Sequence, residues 1–200
     1  MKLYCATTNP GKLREFQEAL RGSIQVEPLP GLASIAPPEE TGVTFEENAV
    51  QKALYYSKYC DGYLFVDDSG LEVDALGGAP GVYSARFAGP DATDAANNQL
   101  LMDRTRGVSD RTARFVCVVA LAESGRLLRT FRGEVEGRLL DAPRGANGFG
   151  YDPLFFYPPF GSSFGEAPLE RKMDVSHRAQ AIHKMRVYLE ESWALKGPQS

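Results

Sequence analysis

Asp67-Asp68-Ser69-Gly70 sets two adjacent carboxylates, a hydroxyl and a glycine directly after the apolar run Tyr63-Leu64-Phe65-Val66. At the C-terminal lip of a buried strand, charged side chains lose solvation unless a cation or hydrogen-bond donors replace the water. These residue types suit holding a divalent metal or activating a water beside a phosphate. They suit a solvated strand-to-turn exit as well, and the four residues alone do not decide between the two.

Three further segments carry chemistry. Thr7-Thr8-Asn9-Pro10-Gly11-Lys12 reads as a strand end, a tight loop and a helix start. Free N–H groups and the positive end of the helix dipole favour anions there. Lys12 in the first turn runs against the dipole, which either a bound anion or simple solvation of the lysine would accommodate. Lys172, Ser176, His177 and Arg178 repeat the pattern at the start of the last helix. Asn147-Gly148-Phe149-Gly150-Tyr151-Asp152-Pro153 flanks an aromatic with glycines, allowing close backbone approach to a ligand beside a flat stacking face. Asp152 is placed to accept from a base edge or orient a neighbouring cation, and a Gly-Pro turn is the simpler alternative.

The elements that must position these residues are legible from periodicity and punctuation. Lys2 to Ala6 reads as a strand. Asn9 is an N-cap with Pro10 at the first helical position, and Leu13, Phe16 and Leu20 keep helical spacing. Residues 28–43 read as loop. Thr44 with Glu47 forms a T-x-x-E capping box for a second helix reaching about Tyr59, on which Asn48 and Lys52 share a face. A strand at 63–67, a helix after Asp94 and a strand from Ala113 to Leu121 follow. That last strand is apolar enough to be buried on both faces. Ser124-Gly125 turns the chain into a partner strand at 126–137, 154–157 is a short strand, and the last helix begins near Ser176. This alternation predicts a single α/β domain over 1–195 with a flexible tail at 196–200.

The totals fit one such domain: 200 residues, 43% hydrophobic and 24% charged. A net charge of −4 argues against wrapping a nucleic-acid backbone, and no apolar run is long enough to cross a bilayer. The start lacks a signal-peptide layout, and Cys5, Cys60 and Cys117 form no C-x-x-C pair. A cytoplasmic protein is expected, with no nucleic-acid or membrane partner.

Seven motifs then fall in a fixed order. They are Thr7-x-Asn9-x-x-Lys12, Glu39-Glu40-Thr41-Gly42, Thr44-Phe45-x-Glu47-Asn48-Ala49-x-x-Lys52-Ala53 and Asp67-Asp68-Ser69-Gly70-Leu71. Leu76-Gly77-Gly78-Ala79-Pro80-Gly81-Val82-Tyr83-Ser84-Ala85-Arg86, Gly148-Phe149-Gly150-Tyr151-Asp152-Pro153 and Ser176-His177-Arg178 complete them. From about Leu3 to Leu189 the chain resembles the Ham1/inosine-triphosphatase family, pyrophosphatases of non-standard purine nucleoside triphosphates.

The resemblance implies a two-lobed α/β domain with a long mixed central sheet flanked by helices, the nucleotide in the cleft, and a homodimer. It implies Mg²⁺-dependent hydrolysis of ITP, dITP and XTP between the α and β phosphates, clearing deaminated purines. By position, Asp68 matches the general base and a metal carboxylate, and Glu39 matches the other metal carboxylate. Asp67 is either a further metal contact or a support. Thr7, Thr8, Asn9, Pro10, Gly11, Lys12, Lys52 and Ser69 match substrate and phosphate contacts. Phe149, Gly150, Tyr151, Asp152, Lys172, His177 and Arg178 match the base pocket. A pocket of donors such as Arg178 would accept a 6-oxopurine and leave unpaired groups against adenine.

Arg171 and Met173 depart from the family's usual neighbours of Lys172, and Tyr157-Pro158-Pro159-Phe160-Gly161 is unusually rich in proline. Two rival readings are a Maf-type nucleotide pyrophosphatase, which shares fold and reaction, and a nucleotide-binding module without catalysis. The base-side motifs argue against the first, and the intact Asp67, Asp68, Lys12 and Lys52 against the second.

Overall fold

The computed structural model describes residues 2–196. Its first half contains β1 (Lys2–Cys5), α1 (Pro10–Ala19), β2 (Gln25–Pro28), α2 (Phe45–Tyr56), β3 (Tyr63–Val73) and α3 (Asp94–Arg104). Then come β4 (Thr112–Glu123), β5 (Arg126–Leu139), β6 (Phe155–Tyr157), β7 (Ser162–Ser163), α4 (Leu169–Met173) and α5 (His177–Lys196). The strands form one seven-stranded sheet in the order β2-β1-β3-β4-β5-β6-β7. β1 is parallel to β2 and β3, and the remaining pairs are antiparallel. The expected mixed sheet flanked by helices is therefore present.

The caps form as their residues dictate. Asn9 Oδ1 accepts from the N–H groups of Gly11 at 2.8 Å and Lys12 at 3.1 Å. Thr44 Oγ1 accepts from Glu47 N–H at 3.1 Å. Glu47 reaches back one residue further than a standard capping box, to Val43 N–H at 2.7 Å.

The strand end expected at residue 67 is corrected. The Asp67-Asp68-Ser69-Gly70 segment is not a strand exit, because β3 continues to Val73. The apolar β4 supplies a partner for each of its residues, including Asp67 opposite Val119 and Ser69 opposite Cys117. A continuous ladder outweighs the weak strand preference of Asp, Ser and Gly.

Strand alternation then sends neighbours to opposite faces. On one face, Phe65, Cys117, Val119 and Phe131 pack against Phe16 of α1, Leu20 at its C-cap, and Ile182, Met185 and Leu189 of α5. On the other, Leu64, Val66, Val116, Val118 and Ala120 pack against Phe45, Ala49 and Ala53 of α2. Asp67 shares the parity of Phe65, and Asp68 that of Leu64 and Val66. A third core at the far end of β3, β4 and β5 gathers Leu71, Val73, Phe115, Val135, Leu101, Tyr151, Leu154, Phe155 and Phe164. The long strands thus run through two lobes, and the acidic segment lies where one core gives way to the other.

Two glycines permit this junction. A Cβ on Gly70 would collide with Ser84 Oγ, which accepts from Leu71 N–H at 2.9 Å. A Cβ on Gly133 of β5 would collide with the His177 carbonyl oxygen, so a side chain there would push away the first turn of α5.

Lys172 lies on α4, a five-residue helix too short to show a periodic pattern, and not in the first turn of α5. Lys196, expected in the tail, closes α5, and residues 197–200 lie outside the described residues.

Candidate active site

The α2 face presents Asp68, buried among polar partners. Lys52 Nζ donates to Asp68 Oδ1 at 2.8 Å, and Asn48 Nδ2 to Oδ2 at 3.4 Å. The i, i+4 spacing of Asn48 and Lys52 delivers both to one carboxylate. Asn48 Oδ1 also accepts from Gly42 N–H at 2.8 Å, pinning the acidic loop to α2. Lys52 further pairs with Glu40 at 3.0 Å, and Glu40 with Arg86 at 2.9 Å. Burial raises the Asp68 pKa, and the attraction of Lys52 offsets only part of that.

Across the sheet, Asp67 meets a different set. Lys12 Nζ lies 2.9 Å from its Oδ2, Ser69 Oγ donates to the same oxygen at 2.9 Å, and Arg178 Nε stands 3.7 Å away. Burial opposes ionisation of Asp67, but Lys12, Arg178 and Lys52 outweigh it and hold the carboxyl well below the usual range. Asp67 is thus a fixed negative charge and a poor base. It also supplies the anion that makes Lys12 tolerable at a helix start. The α1 N–H groups expected to be free for a ligand are partly taken, since Asn9 occupies those of Gly11 and Lys12.

Glu15, on α1 and 2% exposed, joins the remaining cations. Its Oε1 accepts from Lys172 Nζ at 2.7 Å, and its Oε2 pairs with Arg178 Nη1. Lys172 also donates to Asp152 Oδ2 at 2.5 Å, and Arg178 Nη2 to Ser69 Oγ at 2.8 Å. Burial raises the Glu15 pKa, but Arg178 and Lys172 prevail and the net shift is downward. The expectation that Arg178 presents its donors to a base is not met by both of its Nη atoms, which are engaged within the protein. Its Nε is left buried without a hydrogen bond.

Two cavities open beside this network. One is lined by Phe149, Gly150, Tyr151, Asp152, Lys172, His177 and Arg178 together with Ser69, Asp94 and Phe115. The other is lined by Thr7, Thr8, Lys52, Glu40, Asp67 and Arg86. They share Asn9, Lys12 and Ala85. Phe149 lies over Gly11, where a Cβ would come within 2.6 Å of its ring. Lys172 Nζ and the Arg178 guanidinium stand 5.4 and 5.3 Å from its centroid. His177 stacks on Phe115 at 4.7 Å with an interplanar angle of 11°. Burial and the nearby Arg178, Lys172 and Lys12 drive its pKa well down, so the ring is neutral, and its Nδ1 is unpaired. Burial raises the Asp152 pKa, partly offset by Lys172.

The structure therefore brings together most of the residues expected from sequence. Pro10 is exposed and serves to start α1. Glu39 is exposed and outside the ion-pair network, whereas its neighbour Glu40 is inside it. Glu15 is a site residue that sequence reasoning does not single out, and Glu40, Asn48 and Arg86 stand in its motifs without an assigned role. The two departures from the family pattern meet each other, with the Arg171 guanidinium 4.1 Å over the Phe160 ring of the proline-rich segment.

Among the described residues no three His, Cys, Asp or Glu side chains converge as a metal cage. Asp68, a buried carboxylate beside the cation-lined cavity, suits an ion that takes one or two carboxylates and completes its shell with phosphate oxygens and water.

The Ham1 family model matches residues 3–188. A dITP/XTP pyrophosphatase of Exiguobacterium sp. is 49% identical over 92% of this chain and 95% of its own length. One of Acidobacterium capsulatum is 50% identical over 91% and 95%. The Staphylococcus aureus Ham1 protein superposes with a TM-score of 0.85 at 38% identity, covering 96% of this chain and 100% of that one. A HAM1 protein from Coxiella burnetii gives 0.85 at 40% identity over 96% and 99%.

Proposed function

The chain belongs to the Ham1 family, and on that premise we propose that it hydrolyses ITP, dITP and XTP to the monophosphate and pyrophosphate. The observation that carries this reading is the meeting of the two cavities at Asn9 and Lys12. A single ligand can set a flat ring beside Phe149 and a polyanion among Lys12, Lys52 and Arg86.

In this reading Asp68 is the general base. Its raised pKa brings it closer to neutrality than an ordinary aspartate, and its partner Lys52 faces the phosphate-side cavity. Lys12 and Lys52 neutralise charge that builds on the bridging and leaving phosphate oxygens. Asp67 holds Lys12 and Arg178 in place, and Ser69 stands between them as a substrate contact. Glu39 and Asp68 would hold Mg²⁺, with Glu40 anchoring the acidic loop through Lys52 and Arg86. When bound, the ion supplies Lewis-acid stabilisation of the phosphates.

On the base side, Phe149 and neutral His177 flank the pocket for a 6-oxopurine, Arg178 braces its wall through Glu15 and Ser69, and Lys172, oriented by Asp152, keeps one N–H beyond its bonds to Glu15 and Asp152. A single pyrophosphatase domain over 1–195, a homodimer and a cytoplasmic location belong to the same reading. No helix of the described residues is long and apolar enough to cross a membrane.

A panel of ITP, dITP, XTP, GTP and ATP with Mg²⁺, read by pyrophosphate release, tests it. Turnover of the first three should exceed that of ATP by about 10⁴-fold, the discrimination that buried donors left unpaired impose. Nucleotide binding without pyrophosphate would leave a silent binding module, and a preference for other bases would leave a Maf-type enzyme.

A further inference from the structure

Gly150 sits at the turn of the base-side loop with φ +61°, between the aromatic Phe149 and the buried Tyr151 and Asp152. Both of its backbone groups are gripped by one helix. Asp94 Oδ2 accepts from Gly150 N–H at 2.7 Å, and Asn98 Nδ2 donates to the Gly150 carbonyl at 2.8 Å. Asp94 and Asn98 are i, i+4 on α3, which places them on one face of the helix.

The helix does not need these bonds for its own start. Thr93 already caps it, accepting from Ala96 N–H at 3.2 Å. Asn98 Oδ1 has no hydrogen-bond partner within the protein, so the polar contact this side chain makes is its Nδ2 bond to Gly150. The preceding residue of α3, Asn97, accepts from Ala88 N–H at 2.8 Å and donates to the Ala85 carbonyl at 3.1 Å. It thereby holds the turn that carries Arg86. One helix thus ties the base-side loop to the phosphate-side turn, and the Tyr151 hydroxyl reinforces the tie by donating to the Ser84 carbonyl at 2.8 Å.

We propose that Asp94 and Asn98 are positioning residues for substrate recognition. They clamp Gly150 so that Phe149 and Asp152 keep their places in the cavity, and the clamp acts on nucleotide binding and not on the chemical step. The proposal rests on the reading of that cavity as the base pocket. A glycine in the left-handed region has the widest conformational freedom of any residue, so an unclamped loop would sample many placements of Phe149. The binding-competent fraction falls accordingly, and apparent affinity falls with it.

Asp94→Ala, Asn98→Ala and Asp94→Asn test this, the last retaining an oxygen that can accept from Gly150 N–H. In each alanine variant KM for ITP should rise about tenfold with kcat within about twofold of the parent, as expected for lost uniform binding. Amide exchange of residues 148–152 in the nucleotide-free protein should quicken in parallel. Asp94→Asn should behave as the parent in both measurements. An unchanged KM despite faster exchange would overturn the proposal, as would a fall in kcat without a rise in KM. Equal behaviour of Asp94→Asn and Asp94→Ala would overturn it too. If the parent protein does not cleave ITP, the functional reading fails by itself. The clamp is then judged on amide exchange and on equilibrium binding of ITP, where the same tenfold loss is required.

Discussion

Asp68→Asn should lower kcat for ITP by about 10²–10⁴-fold, the range a positioned general base supplies, while the folded protein becomes no less stable. The activity half follows from the proposed role, since an amide cannot take the proton of the attacking water. The stability half follows from the environment. Asp68 is 8% exposed, and its pKa is raised by burial. A carboxyl whose folded pKa lies above its unfolded value binds a proton more tightly in the native state. Stability therefore falls as pH rises through that pKa, and at neutral pH the ionised form is a net cost. Removing the charge removes the cost. Lys52 keeps Glu40 at 3.0 Å, so it is not left as an unpaired buried cation. Pyrophosphate release under saturating ITP gives kcat, and thermal unfolding gives the second half. Turnover near that of the parent would take Asp68 out of the base role. A large drop in Tm would mean that its contacts to Lys52 and Asn48 are structural.

The same pair of adjacent aspartates shows what residue types reveal and what they conceal. Their chemistry is legible, and so are the caps at Asn9 and Thr44, because these depend on a few neighbouring residues. Sequence alone predicts that the strand carrying them ends at 67, because two carboxylates, a serine and a glycine normally terminate pairing. Its continuation to Val73 is enforced by the distant β4, whose apolar run pairs with it residue by residue. Once β3 is continuous, alternation separates Asp67 from Asp68, and that separation assigns them different work. The opposite shifts of their pKa values follow from it.

Glu15 lies beyond sequence reasoning for a related reason. On α1 it is one of several charged residues between Leu13 and Leu20, and nothing local distinguishes it from Arg14 or Glu18. Its partners arrive from α4 and α5, 157 and 163 residues later. Glu39 and Glu40 are the reverse case. They are adjacent and alike in sequence, and only the fold shows that Lys52 and Arg86 select the second.

Glu15→Gln isolates the contribution of that hub. The substitution keeps volume but removes the charge shared by Lys172 and Arg178, both of them buried. Breaking a buried ion pair by deleting one partner costs about 3–5 kcal/mol, and the lower end applies here. Lys172 retains Asp152 at 2.5 Å, and Arg178 retains Asp67 at 3.7 Å. The pH dependence separates charge from packing. The Glu15 pKa is lowered in the folded protein, so its stabilisation is fully present above the unfolded value of about 4.3. It is lost as pH falls through the folded value. Below that, the parent carries a neutral carboxyl in the position where the variant carries an amide. Urea unfolding of both proteins should therefore show a wide gap at pH 7 that closes as the solution is acidified past about 4. A gap that stays constant across this range would assign the loss to packing around the substituted amide and remove the ion-pair hub from the account. A gap that closes would tie the stability of the base-side cations to one carboxylate on α1. The segment that grips phosphate would then also hold the wall that reads the base.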